Sequence, residues 1–153
     1  MASPTDLAVL TFRRCCNDPA CPHQGAPCGS QTVLDRPPFE RDFAYSRAVV
    51  QGPWCFVSGV TGYDYAAMVL PEGVVAQAQA CFETISGVLT EADFTLAHVV
   101  RVQYTLPERA YISEIQPVLQ TWLGAVRPAA TMVIADLIDP AMLIEIEVTA
   151  LRA

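Results

Sequence analysis

Glu145 and Glu147 stand two residues apart in a segment where Ile144, Ile146, Val148 and Ala150 alternate with them. On an extended strand that period puts both carboxylates on one face, with Cα atoms about 6 to 7 Å apart, so both can act on one ligand. The same spacing suits carboxylates that merely border a solvated channel. Arg101 lies on the polar side of a second alternating run, Val99 to Leu106, and is expected to neutralise one of them, because a charge taken out of water needs a partner. Tyr63, Asp64 and Tyr65 follow Gly62 in a loop that either lines a polar pocket or anchors itself. His98, flanked by Ala97 and Val99, reads as a capped structural residue. Cys55 and Cys81 fall in apolar stripes and read as small core residues. Cys15, Cys16, Cys21, His23 and Cys28 would suit zinc chemically, but their spacing matches no known finger. Free thiols are the favoured reading there, with a structural metal or oxidised pairs behind it, so no metal or cofactor is assigned.

The 153 residues carry nine cations, all of them arginine, against sixteen carboxylates, a formal net charge of −7. Without lysine there is no Schiff base and no phosphate-loop lysine. Two histidines cannot build a three-histidine zinc site. The acidic balance leaves no basic face to follow a phosphate backbone, so nucleic acid is not an expected partner. The longest uncharged stretch, Ala48 to Tyr63, is broken by Gln51, Gly52, Pro53 and Gly59, so no membrane span is expected. The N-terminus lacks a cationic start followed by an apolar core, which reads as a cytoplasmic protein. With 52% apolar and 16% charged residues, the chain is expected to bury a face against copies of itself.

The elements that must position these residues divide the chain in two. Residues 1–43, rich in Pro and Cys, read as an irregular extension in which only Leu7 to Phe12 looks like a strand. Residues 44–153 read as one α+β domain. Ala48–Val50 and Trp54–Ser58 form a hairpin across Gln51, Gly52 and Pro53. Between Gly73 and Leu89, Val74, Ala78, Cys81, Phe82, Ile85, Val88 and Leu89 give a helical stripe, with Gln77 and Gln79 between them. In the Val99–Leu106 strand, Val100, Val102, Tyr104 and Leu106 share one face and Val99, Arg101, Gln103 and Thr105 the other. Ile112, Ile115, Leu119, Trp122 and Leu123 predict a second helix, with Ser113 and Gln116 as a capping box and Pro117 marking a kink or a late start. Strands at Ala129–Ala135 and Leu143–Leu151 complete a mixed sheet with helices on one side.

Tyr45-Ser46-Arg47-Ala48-Val49, Phe56-Val57-Ser58-Gly59, Arg127-Pro128-Ala129-Ala130-Thr131 and Ile144-Glu145-Ile146-Glu147-Val148 resemble the YjgF/RidA family, over Tyr45 to about Leu151. The resemblance implies a chorismate-mutase-like fold, a homotrimer with a central barrel, small-molecule clefts between subunits, and hydrolytic deamination of reactive enamines or imines. It places Glu145 as the carboxylate that holds or activates water. Tyr45 and Ser58 would line the cleft from the adjoining subunit, and Gln116 falls where the family often has Asn.

Where archetypal members read Pro-Ala-Arg, this chain reads Pro128-Ala129-Ala130, so the arginine that grips a substrate carboxylate is missing. Its loss forgoes roughly 1.5 to 3 kcal/mol per charged hydrogen bond. Arg101 or Arg127 could replace it, Arg127 standing just before the strand that carries Ala130. The expected function is therefore hydrolysis of an enamine, imine or related nitrogen compound by a homotrimer. The alternative is a trimeric metabolite-binding protein without catalysis. A ribonuclease reading, attached to some relatives, is disfavoured by the acidic balance.

Overall fold

A computed structural model of the chain describes residues 8–13, 30–35, 39–64 and 67–152. Strand β4, Trp54–Thr61, shows how the sequence builds the sheet. Its first residues alternate, with Cys55 and Val57 buried and Trp54 and Phe56 exposed, and the alternation breaks at Ser58 and Gly59. There the pairing with β7, Glu145–Leu151, shifts register: Val57 faces Val148 and Val60 faces Ile146, so one extra residue bulges from β4.

Strand β3, Ala48–Gln51, makes the expected hairpin with β4. Strands β5, Val99–Leu106, and β6, Ala129–Ile134, run parallel, joined by helix α3, Tyr111–Leu123, and β7 pairs antiparallel with both β4 and β5. Upstream lie β1, Ala8–Arg13, and β2, Ser30–Asp35, an antiparallel pair attached through β2 to β3. The sheet order is β1-β2-β3-β4-β7-β5-β6. Strand β1 matches the expected strand within one residue at each end; β2, and the short helix α1 at Phe39–Asp42, are not foreseen in a stretch flanked by prolines. The Cys15–Cys28 cluster lies outside the described residues.

Helix α2, Val74–Glu91, and α3 cover one face. Phe82, Ile85 and Leu89 from α2 and Ile115 from α3 pack with Val60, Leu106, Ile146 and Val148 in a single core. Phe82 stacks on Trp122 at 5.6 Å, and Trp122 Nε1 donates to Gln79 Oε1 at 2.9 Å, tying the helices together. No described helix is long and apolar enough to cross a membrane.

Four local expectations are corrected. Val99 is buried and Val100 exposed, because β5 gains a residue against β7 between Val99 and Arg101 and the alternation flips there. Ser113 and Gln116 form no capping box: α3 begins at Tyr111, which puts Ser113 inside the first turn, where its hydroxyl donates to Ala110 O at 3.1 Å. Pro117 sits within one continuous helix that starts early rather than late. Gln77, placed by periodicity on the polar side of α2, is 2% exposed. His98 behaves as expected: its Nδ1 accepts from Thr95 N at 3.0 Å, capping the short 3-10 turn Leu96–His98.

Candidate functional site

The bulge in β4 aims Ser58 and Gly59 at the start of β7, and a cavity of about 330 Å³ opens there. It is lined by Glu145 and the hydroxyl-bearing Tyr45, Ser58, Thr61 and Tyr63, and by the apolar Phe43, Ile138 and Met142. None of these is a cation. Ser58 Oγ donates to Ser46 O at 2.7 Å, and Ser58 N to Arg47 O at 3.0 Å, which ties the segment before β3 to the bulge. Tyr63 Oη lies 3.5 Å from Asp139 Oδ2 across the mouth. Asp64 secures its own loop, accepting from Ala67 N at 3.1 Å and pairing with Val69. Of the tyrosine-carboxylate-tyrosine triplet, Tyr63 thus faces the cavity, Asp64 anchors the loop, and Tyr65 lies outside the described residues.

Burial pushes the Glu145 carboxyl above the usual carboxylate range, the nearby charge of Glu147 adds to this, and the Arg47 guanidinium opposes it. A carboxylate with raised proton affinity at the wall of a cavity suits accepting a proton from water and returning it. Glu147 is engaged by Arg101, at 3.3 Å on the exposed face, so the structural pairing expected for Arg101 is the one observed.

Behind the apolar wall, Gln77 performs a role the helical period hides. Its Nε2 donates to Pro71 O at 3.2 Å and Ala141 O at 2.9 Å, while Oε1 accepts from Leu143 N at 2.8 Å. One buried amide therefore fixes the 138–143 loop that brings Ile138 and Met142 to the cavity. Polar residue type alone carried no signal for this, because two of the three partners, Ala141 O and Leu143 N, are backbone groups far away in sequence.

Residues 39–152 match the family described as Endoribonuclease L-PSP. A Mycobacterium tuberculosis protein of known structure, described as a member of the highly conserved YjgF/YER057c/UK114 family, is 33% identical, with a TM-score of 0.74 over 80% of this chain and 100% of that one. The chain belongs to this YjgF family. RidA from an Antarctic Psychrobacter is 30% identical over 71% of this chain and 88% of its own, with a TM-score of 0.67. A Streptomyces coelicolor protein described only as uncharacterized is 27% identical over 117 residues, 75% of this chain and 87% of its own.

Tyr45, Ser58 and Glu145 line a single cavity within one chain, where the 40–47 segment folds back on the β4 bulge. Ala130 and Arg127 are elsewhere: with Tyr104, Gln120 and Pro128 they line a second cavity of about 450 Å³ that shares no residue with the first. Gln116 is exposed on α3 and lines neither.

Proposed function

We propose that this YjgF-family protein is a cytoplasmic, homotrimeric hydrolase of a small enamine or imine, with Glu145 as the water-activating carboxylate. The observation that carries the reading is the half-buried Glu145 carboxyl, with its raised proton affinity, in a cavity whose other described lining residues are hydroxyl-bearing or apolar. Glu145 accepts a proton from water as the oxygen bonds to the C=N carbon, and passes that proton to the nitrogen, giving a neutral carbinolamine. Glu145 then takes the proton of the carbinolamine hydroxyl as the C=O bond forms and the C–N bond breaks, and returns it to the departing nitrogen, so that ammonia and a carbonyl compound are released. With no cation among its described lining residues, the cavity suits substrates with neutral, partly apolar groups over simple 2-imino acids.

Self-association is supported by the sheet face that the helices leave uncovered. Trp54 and Phe56 stack there at 6.2 Å, 39% and 47% exposed, on the strand next to the one bearing Glu147. Closure into a trimer would cover them and bring the Ala130 cavity of one subunit beside its neighbour. Sedimentation is expected to give three times the 16.6 kDa chain mass. A monomer at micromolar concentration would remove the between-subunit cleft.

The activity test is ammonia release from imines generated in place by an amino-acid oxidase, comparing apolar side chains with 2-iminopropionate. Turnover lost in Glu145→Ala supports the hydrolase. The missing clamp at Ala130 favours a second reading, a metabolite-binding protein without catalysis. It predicts ligand-dependent thermal stabilisation with no ammonia released.

A further inference from the structure

A buried ion pair stands behind the cavity and contributes no atom to its lining. Arg47 is 1% exposed and Glu40, on α1, 2%. Arg47 Nε and Nη2 both donate to Glu40 Oε1, at 3.1 and 3.0 Å. Nη1 donates to Gly59 O at 2.8 Å, and Nη2 donates also to Tyr45 Oη at 2.9 Å. Stability alone is a poor reason for such a pair. Two charges of this kind are often replaced by apolar residues without loss, and here Glu40 Oε2 is buried with no hydrogen-bond partner among the described residues.

Two bonds that Arg47 makes outside the pair go to residues that line the cavity. Gly59 belongs to the bulge, where its carbonyl is directed to Arg47 and its missing side chain leaves room for the Glu145 carboxyl. Arginine only donates, so Tyr45 Oη is the acceptor in its bond and the phenol's orientation is set by Arg47. We propose that Arg47, locked by Glu40, is a positioning residue for the Glu145 cavity: it holds the Gly59 bulge and the Tyr45 hydroxyl, and sets a fixed positive charge behind the Glu145 carboxylate.

Glu145 is faced by Glu147 on its own strand, by Cys81 from α2, by Tyr45 and Tyr63 around the cavity, and by Arg47 behind Gly59; Arg101 is engaged by Glu147. Burial and Glu147 favour the protonated acid, and Arg47 is the group that opposes them. Because its guanidinium is committed to Glu40, Gly59 and Tyr45, Arg47 supports the carboxylate without recognising a substrate anion. The consequence for turnover rests on the hydrolase reading, but the charge relationship does not.

The test is therefore a titration of the full-length chain labelled with carboxyl-13C glutamate, the Glu145 signal being assigned by its absence in Glu145→Gln. In the double variant E40Q/R47Q, which keeps polar side chains in the pocket and removes both charges, the Glu145 midpoint is expected to rise by about half a pH unit or more. R47K, which restores the charge, is expected to bring it back toward the native value. An unmoved midpoint in a double variant with a native-like amide spectrum overturns the proposal. Should that variant fail to fold, Glu40→Gln alone decides: Arg47 then keeps its charge and loses its counter-ion, so the midpoint falls or holds, and a rise overturns the assignment. A shift as expected without ammonia release from any imine leaves Arg47's role intact and removes the hydrolase.

Discussion

The carboxyl group of Glu145 occupies the space that Gly59 leaves by having no side chain: a β-carbon at position 59 would stand 2.5 Å from Glu145 Cδ and 2.7 Å from Oε1. Those separations are below van der Waals contact, so a methyl group there displaces the carboxylate into the cavity. Gly59→Ala is expected to abolish activity while the fold survives with a loss of about 1 to 3 kcal/mol, the usual cost of overpacking. Ammonia release and urea unfolding on one preparation check it. Full activity in the variant would show that the carboxylate position does not matter.

Glu145 also makes the chain's stability depend on pH, with a definite sign. Its folded-state pKa is raised above the usual value of 4.5, so the folded chain holds this proton more tightly than the unfolded chain. The stabilisation present below the usual value is lost as pH rises through the folded pKa. Glu145→Gln, which cannot ionise, is therefore expected to melt higher than the natural protein at neutral pH, with the difference vanishing below about pH 4.5. Melting curves across that range check it, and a variant less stable at neutral pH would show that the carboxylate is held by favourable contacts.

Replacing Gln77 by leucine keeps most of the volume but leaves Ala141 O, Pro71 O and Leu143 N without their side-chain partner. The expected cost is about 1 to 3 kcal/mol. The 138–143 loop loosens with it, so KM for an apolar imine rises more than kcat falls. Unfolding and steady-state kinetics separate the two effects.

The separation of the Ala130 and Glu145 cavities within one chain makes the subunit arrangement testable by complementation. Ala130→Arg alone is expected to gain detectable hydrolysis of 2-iminopropionate. Under the proposed trimer, in which an arginine from one subunit would meet Glu145 of another, chains carrying A130R and E145Q together are expected to be inactive alone and to regain turnover when refolded jointly with the natural chain. No recovery in confirmed mixed oligomers would place both groups' action within single chains.

Burial pushes the Cys55 thiol up to about 11, with Arg152 opposing, and the Cys81 thiol higher still, with Glu145 adding to the effect of burial. Neither is a useful thiolate near neutral pH, and Cys81 Sγ is further occupied as a donor to Val60 O at 3.2 Å. Iodoacetamide on the native protein is expected to leave both unmodified, and peptide mapping by mass spectrometry reads each site separately. Both become labelled in urea.

Much of this protein was readable from local periods. The helical stripe through Phe82 and Ile85, the hairpin around Gly52, and the alternation that puts Glu145 and Glu147 on one face follow from side-chain direction within a single element, and the structure keeps all three. The pairing of Arg101 with Glu147 was also accessible, since both sit on polar faces of strands that turn out to be neighbours.

What tertiary structure decided depended on groups distant in sequence. The two bulges are invisible to a period of two, yet one flips Val99 and Val100 and the other seats Glu145 over Gly59. Gln77 is polar by type and buried by circumstance, because three backbone groups from two other segments converge on it. The Glu40–Arg47 pair spans a boundary that composition drew at residue 43, and no residue-by-residue reading brings those two charges together behind the cavity. Sequence alone determines which side chains share a face, since that is set by each element's own geometry; which groups meet across elements is set by how the whole chain satisfies its buried polar atoms at once.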